Sequence, residues 1–151
     1  MIMRSIQSAS RARRNSGFSL TEIMIVVAII ALLSAIAYPS FMQSVRKSKR
    51  TDAQTALTRA SNHLERFFST NGTYTSDATV LGLVVDGSTA YSDNGHYIMT
   101  VTGGATGIGT SYVVSASAAP DDIQTGDTGC TTLTLDSLGR RTPDPTDSRC
   151  W

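Results

Sequence analysis

The chain has 151 residues, about one domain, and a long apolar stretch near its start leaves only a small globular part. Its charged content of 17% is low, with Gly, Ser and Thr filling the difference, which fits a loop-rich, partly β domain working outside the cytoplasm. The net charge of +1 hides an asymmetry, because four of the thirteen bases lie before residue 17. Without that stretch nine bases face twelve acids, a net −3, which argues against a uniformly basic surface.

Residues 1–17 are basic and polar, with Arg4, Arg11, Arg13 and Arg14 and no apolar h-region, so an ordinary cleavable secretory signal does not fit. From Ile23 to Ala37 every residue is apolar except Ser34, and the wider segment 18–42 is long enough to cross a bilayer as a helix. Arg46, Lys47, Lys49 and Arg50 follow it, so charge alone leaves the orientation nearly tied. The only two cysteines, Cys130 and Cys150, lie beyond the span and have no CxxC spacing. A pair closing one terminal loop reads as a structural disulfide, which places that side in an oxidising compartment.

Gly17-Phe18-Ser19-Leu20-Thr21-Glu22, followed by the apolar run, resembles the leader junction of type IV pilins and pseudopilins. The resemblance implies that a prepilin peptidase cuts between Gly17 and Phe18 and methylates the new amine of Phe18. Two departures are visible: Asn15 and Ser16 separate the arginines from the cut, and 23–38 contains no glycine. Local unwinding on assembly is then expected at Pro39, which has no amide hydrogen for the Ala35 carbonyl. An acid such as Glu22 costs about 2.5–3.5 kcal/mol at the centre of a membrane helix and should seek a cation. The resemblance supplies one: the Phe18 amine of a neighbouring subunit, so Glu22 and Phe18 would set axial register in a fibre.

Beyond the span, Ala53, Ala56, Leu57, Ala60, Leu64 and Phe67 recur at steps of three and four, with Asp52, Gln54, Arg59 and Glu65 interleaved. This predicts an amphipathic half-helix over 43–69, continuous with the span and laid on a sheet. Asn71-Gly72 stops it, and 70–95 reads as a loop with at most one brief strand at the "VLGLVV" patch. "HYIMTVT" and "TSYVVSASA" flank a glycine-rich connection and predict an antiparallel hairpin; "TTLTLD" and a last short strand complete 96–151. The expected fold is α+β: the pilin architecture, with a long N-terminal helix on a small antiparallel sheet and a disulfide-closed C-terminal loop. Tyr74, Tyr97, Tyr112, "APDDIQTGDTGC" and the terminal "CW" are similar to PilE-type minor pilins.

Catalysis is not expected, since His63 and His96 show no metal-protease spacing and no nucleophile-elbow motif is present. The glycine-rich 103–109 stretch lacks a P-loop lysine. Asp121, Asp122 and Asp127 are hard oxygen ligands in a loop, but their spacing matches no EF-hand, so they read as turn acids; no metal or cofactor is expected. Arg140, Arg141 and Arg149 with Trp151 could form a basic patch with an aromatic platform for DNA. Phosphate headgroups before assembly, and neighbouring acids afterwards, are the expected partners of the Arg46–Arg50 cluster.

The sequence therefore reads as a structural subunit, a minor pilin held in the inner membrane by one span with its head in the periplasm and later carried into an extracellular pilus. The implied partners are the prepilin peptidase, the assembly platform, a major pilin and other minor pilins, and the implied roles are motility, adhesion or DNA uptake. The alternatives are a type II secretion pseudopilin and a DNA-binding pilin.

Overall fold

The computed structural model describes residues 17–143 and 149–151. The leader residues before Gly17, with their four arginines, lie outside the described part. The chain forms two compact units, a first ending at Tyr38 and a second running from Pro39 to Trp151.

Helix α1 spans Leu20–Asn71 and contributes to both units. It begins where Ser19 accepts the amides of Glu22 and Ile23 on its carbonyl, and Glu22 in the first turn is favourable to the positive end of the helix dipole. Pro39 lies within the helix. It stops at Gly72, whose φ of 71° is a left-handed conformation that few side chains tolerate. In the first unit every described side chain is exposed, and this helix is long and apolar enough to cross a membrane.

In the second unit six strands form one antiparallel meander in chain order: β1 Val84–Asp86, β2 Thr89–Tyr91, β3 Tyr97–Gly103, β4 Tyr112–Ala118, β5 Thr132–Asp136 and β6 Arg141–Thr142. The central hairpin pairs Tyr97 with Ala118 through to Gly103 with Tyr112. Strict alternation in β4 turns Tyr112, Val114 and Ala116 inward, and Leu133 and Leu135 do the same in β5. They meet Ala53, Ala56, Leu57, Ala60 and Leu64 of α1 in one core. The apolar face of the helix packs on the sheet, as the spacing predicted. Gly103 is required at the end of β3, because a Cβ there would stand 2.7 Å from the amide nitrogen of Ile108.

The brief strand expected at the "VLGLVV" patch is present as β1, but the stretch 70–95 holds more than its reading as a loop allowed. It contains a 3-10 turn at Ala78–Leu81 and a two-strand hairpin, β1 and β2, turning at Gly87. Strands of three residues carry too little alternation to be read from sequence, and β2 is held by β3 and by burial of Ala90. Asp52, expected on the polar face of α1, is instead buried, its Oδ1 accepting the Asn94 amide and side chain at 3.3 and 3.0 Å. It satisfies the Ser92–Gly95 turn between β2 and β3, a role that alternation along one helix does not announce.

Candidate nucleic-acid interface

The Cys130–Cys150 disulfide closes the C-terminal loop, with Cα atoms 5.4 Å apart. Three contacts fasten this loop and the turn just before it to α1. The Arg50 guanidinium donates to both carboxylate oxygens of Asp127 at 2.7 Å and, through Nη1, to the Arg149 carbonyl at 2.7 Å. Gln54 Nε2 donates to the Cys150 carbonyl at 3.0 Å. The Arg50 and Asp127 side chains are 14% and 7% exposed, and the bidentate bond to Asp127 raises the Arg50 pKa against the opposing effect of burial. The carbonyl of Asp127 in turn accepts the Cys130 amide.

Neighbouring acids are committed as well. Asp122 caps a 3-10 turn at Ile123–Gly126 by accepting the Gln124 amide, and also receives Lys49 Nζ at 3.0 Å and His96 Nδ1 at 2.8 Å. Burial pushes its carboxyl upward, but these donors outweigh it and hold the pKa below the ordinary value. Gln124 is buried and donates to the Tyr97 hydroxyl at 2.6 Å. Two of the three acids considered for calcium thus face cations of α1. Lys49 and Arg50 likewise have carboxylate partners inside their own chain, which corrects the expectation that the whole 46–50 cluster turns to headgroups or neighbouring subunits.

With the loop fixed, its last residue meets the sheet edge. The Arg141 guanidinium of β6 lies 5.0 Å from the centroid of the half-buried Trp151 ring. A flat cation stacked on an indole is held in place while its outer N–H groups stay free to bond. Arg141 and Trp151 form one wall of a cleft of about 520 Å³, whose other wall is α1 through Gln54, Thr58, Arg59 and Asn62. Arg59 is held by a bidentate bond to Asp93. Arg149 is exposed and shares an adjoining cleft with Trp151. Arg140 belongs to the β5–β6 turn, where it donates to Asp136 at 2.6 Å; no contact joins it to Trp151 among the described residues.

The structure therefore brings Arg141, Arg149 and Trp151 to one side of the C-terminal loop and leaves Arg140 on a turn. Gln54, Thr58, Arg59 and Asn62 are additions. The signal for three of them was present, since Gln54, Thr58 and Asn62 recur at steps of four and mark a polar stripe beside the apolar face. Nothing local in the sequence pairs that stripe with the chain terminus.

Comparison with known proteins decides the family. The model described as type IV minor pilin ComP, DNA uptake sequence receptor, matches residues 39–134. The chain belongs to the ComP family of type IV minor pilins. A prokaryotic N-terminal methylation motif matches 12–38, ahead of it. The fimbrial protein EcpC of Eikenella corrodens is 30% identical over 115 residues, 76% of this chain and 70% of that one. The type IV major pilin protein PilA of Myxococcus xanthus is 40% identical over 78 residues, 52% of this chain but 36% of the relative, so the match spans about a third of that protein's length. Core protein G of a type II secretion system in Aeromonas hydrophila is 29% identical over 90 residues, 56% of this chain and 63% of that one. These pilin relatives carry structural descriptions, and the fold is the α+β pilin architecture: a long N-terminal helix, an antiparallel sheet and a C-terminal disulfide.

Proposed function

We propose that this chain is a minor pilin that joins a type IV pilus and presents a duplex-DNA-binding face built on Arg141 and Trp151. The observation that carries the reading is the Arg141–Trp151 cation–π pair itself, a guanidinium held at the rim of a cleft lined by hydrogen-bonding side chains. Such a fork suits phosphate oxygens or the O6 and N7 edge of guanine. Arg149 adds positive charge beside it, so a chain that is net acidic beyond its leader still offers DNA a locally basic surface. The ComP family description, a DNA uptake sequence receptor, supports this reading over a purely structural head.

Entry into the fibre rests on the other end. A prepilin peptidase would cut at Gly17–Phe18 and methylate Phe18; the assembly platform, a major pilin and other minor pilins would then receive a subunit whose apolar helix needs covering. The head would face the periplasm before the subunit passes into an extracellular fibre. Glu22 would pair with the Phe18 amine of a neighbour, and Pro39 would mark where the helix can loosen.

Fluorescence anisotropy of labelled DNA duplexes with the processed chain in detergent tests the binding face. Arg141→Gln should weaken binding about tenfold or more, the loss expected for one charge-assisted contact, with fibre incorporation unchanged. Unchanged affinity would remove Arg141 from the interface. Glu22→Ala should be inserted and cleaved yet enter sheared fibres poorly when quantified by mass spectrometry; normal incorporation would sink the registration role.

A further inference from the structure

Two cations of the 46–50 cluster remain without a carboxylate among the described residues, and both border a second cleft. It measures about 560 Å³ and is lined by Arg46, Lys47 and Arg50 of α1, by Gly126 and Asp127, and by Arg149. Asp127 already receives both arms of Arg50, so the cleft has surplus positive charge. Arg46 is half-buried, with its guanidinium beside Gly126. Its Nη2 stands 2.7 Å from where a Cβ on Gly126 would be, and its carbonyl accepts Gln124 Nε2 at 3.2 Å. Its Nε is buried without an acceptor. Arg46 as a whole borders the cleft, so an oxyanion there could be bonded by its other guanidinium nitrogens. Lys47, exposed at the rim, suits the same charge.

Chain distance identifies the anion. The run from Ile23 to Met42 is 20 residues, the length that spans a hydrocarbon core of about 30 Å. Arg46 and Lys47 follow one turn later, at the level of lipid phosphates whenever that run is inserted. We propose that the cleft bordered by Arg46 and Lys47 holds the phosphate of an anionic phospholipid while the subunit waits in the membrane. The site must be vacated when the subunit leaves for a fibre. It rests on the reading of 18–42 as a membrane segment.

The test uses the full processed chain in nanodiscs of phosphatidylcholine with a minor fraction of phosphatidylglycerol, with retained lipid counted by native mass spectrometry. The wild type should enrich phosphatidylglycerol, and Arg46→Gln/Lys47→Gln should cut that enrichment about tenfold or more. Lys47→Gln alone, at an exposed position that does not threaten folding, should give a smaller loss in the same direction. Equal enrichment in all three proteins would overturn the proposal. So would loss of enrichment on adding inorganic phosphate, which marks a free-phosphate site, or a parallel loss of duplex-DNA binding in phosphatidylcholine discs, which assigns the cleft to DNA. Failure of the wild type to co-float with the discs would instead refute the membrane reading beneath it.

Discussion

Leu32 and Leu57 lie in one helix, yet Leu32 is 71% exposed and Leu57 is 0% exposed. Leu57 meets its partners within the chain, in a core shared with Tyr97, Tyr112, Val114 and Leu133. Leu32, like Ile25, Ile29 and Ile36 around it, has no cover in its own unit. A continuous apolar surface of that kind is not stable facing water, so its cover must come from outside its own unit. The contrast shows that one secondary structure can serve two solvents, with the change made by side chains alone: a run that is apolar except for Ser34 from Ile23 to Ala37, and an apolar face alternating with polar ones after Pro39.

The contrast can be broken most forcefully in the head. Arg50→Ala leaves Asp127 buried and unpaired and should cost about 3–5 kcal/mol, read as a lowered urea midpoint for the fluorescence of Trp151, the single tryptophan. A loss below about 1 kcal/mol would show that the pair does not fasten the C-terminal loop. Truncating the same residue type in both regions sharpens the comparison. Leu57→Ala should cost about 2–5 kcal/mol in that assay, and Leu32→Ala should stay within about 0.5 kcal/mol while weakening fibre incorporation. Equal destabilisation by the two would mean that the first unit is not independent of the head's core.

The smallest effects concern pH and belong to the head alone. Asp122 has a folded pKa below its ordinary 3.8, so its contribution is complete above that value and is lost as pH falls through the folded pKa. Tyr112 moves the other way. Burial first, and then the Glu65 carboxylate that its hydroxyl meets at 3.0 Å, push it from 10.0 to about 12. Its contribution is therefore present below pH 10 and lost as pH rises from there toward 12. Asp122→Asn should flatten the acid limb of the stability profile and Tyr112→Phe the alkaline limb. Tyr74 and Tyr97 shift in the same direction as Tyr112, so the alkaline limb should flatten only in part.

By itself the sequence determined the features that depend on near neighbours along the chain. The N-terminal methylation motif, the apolar run, the helical repeat of alanines and leucines and the central hairpin each write their period or turn into a few consecutive residues. The disulfide was legible for a different reason, since two cysteines allow one pairing. Tertiary structure alone decided the rest. Arg50 reaches Asp127 across 77 residues and the Arg149 carbonyl across 99, Asp52 turns inward to a turn 42 residues away, and Arg141 finds its platform in the last residue of the chain. The reason is physical: a charged side chain has no periodicity that names its partner, and its pairing is set by which loops the packed core brings within hydrogen-bond reach. Arg140 and Arg141 show this most directly. They are adjacent and chemically identical, yet the strand pairing of β6 sends one over Trp151 while the other closes a turn on Asp136.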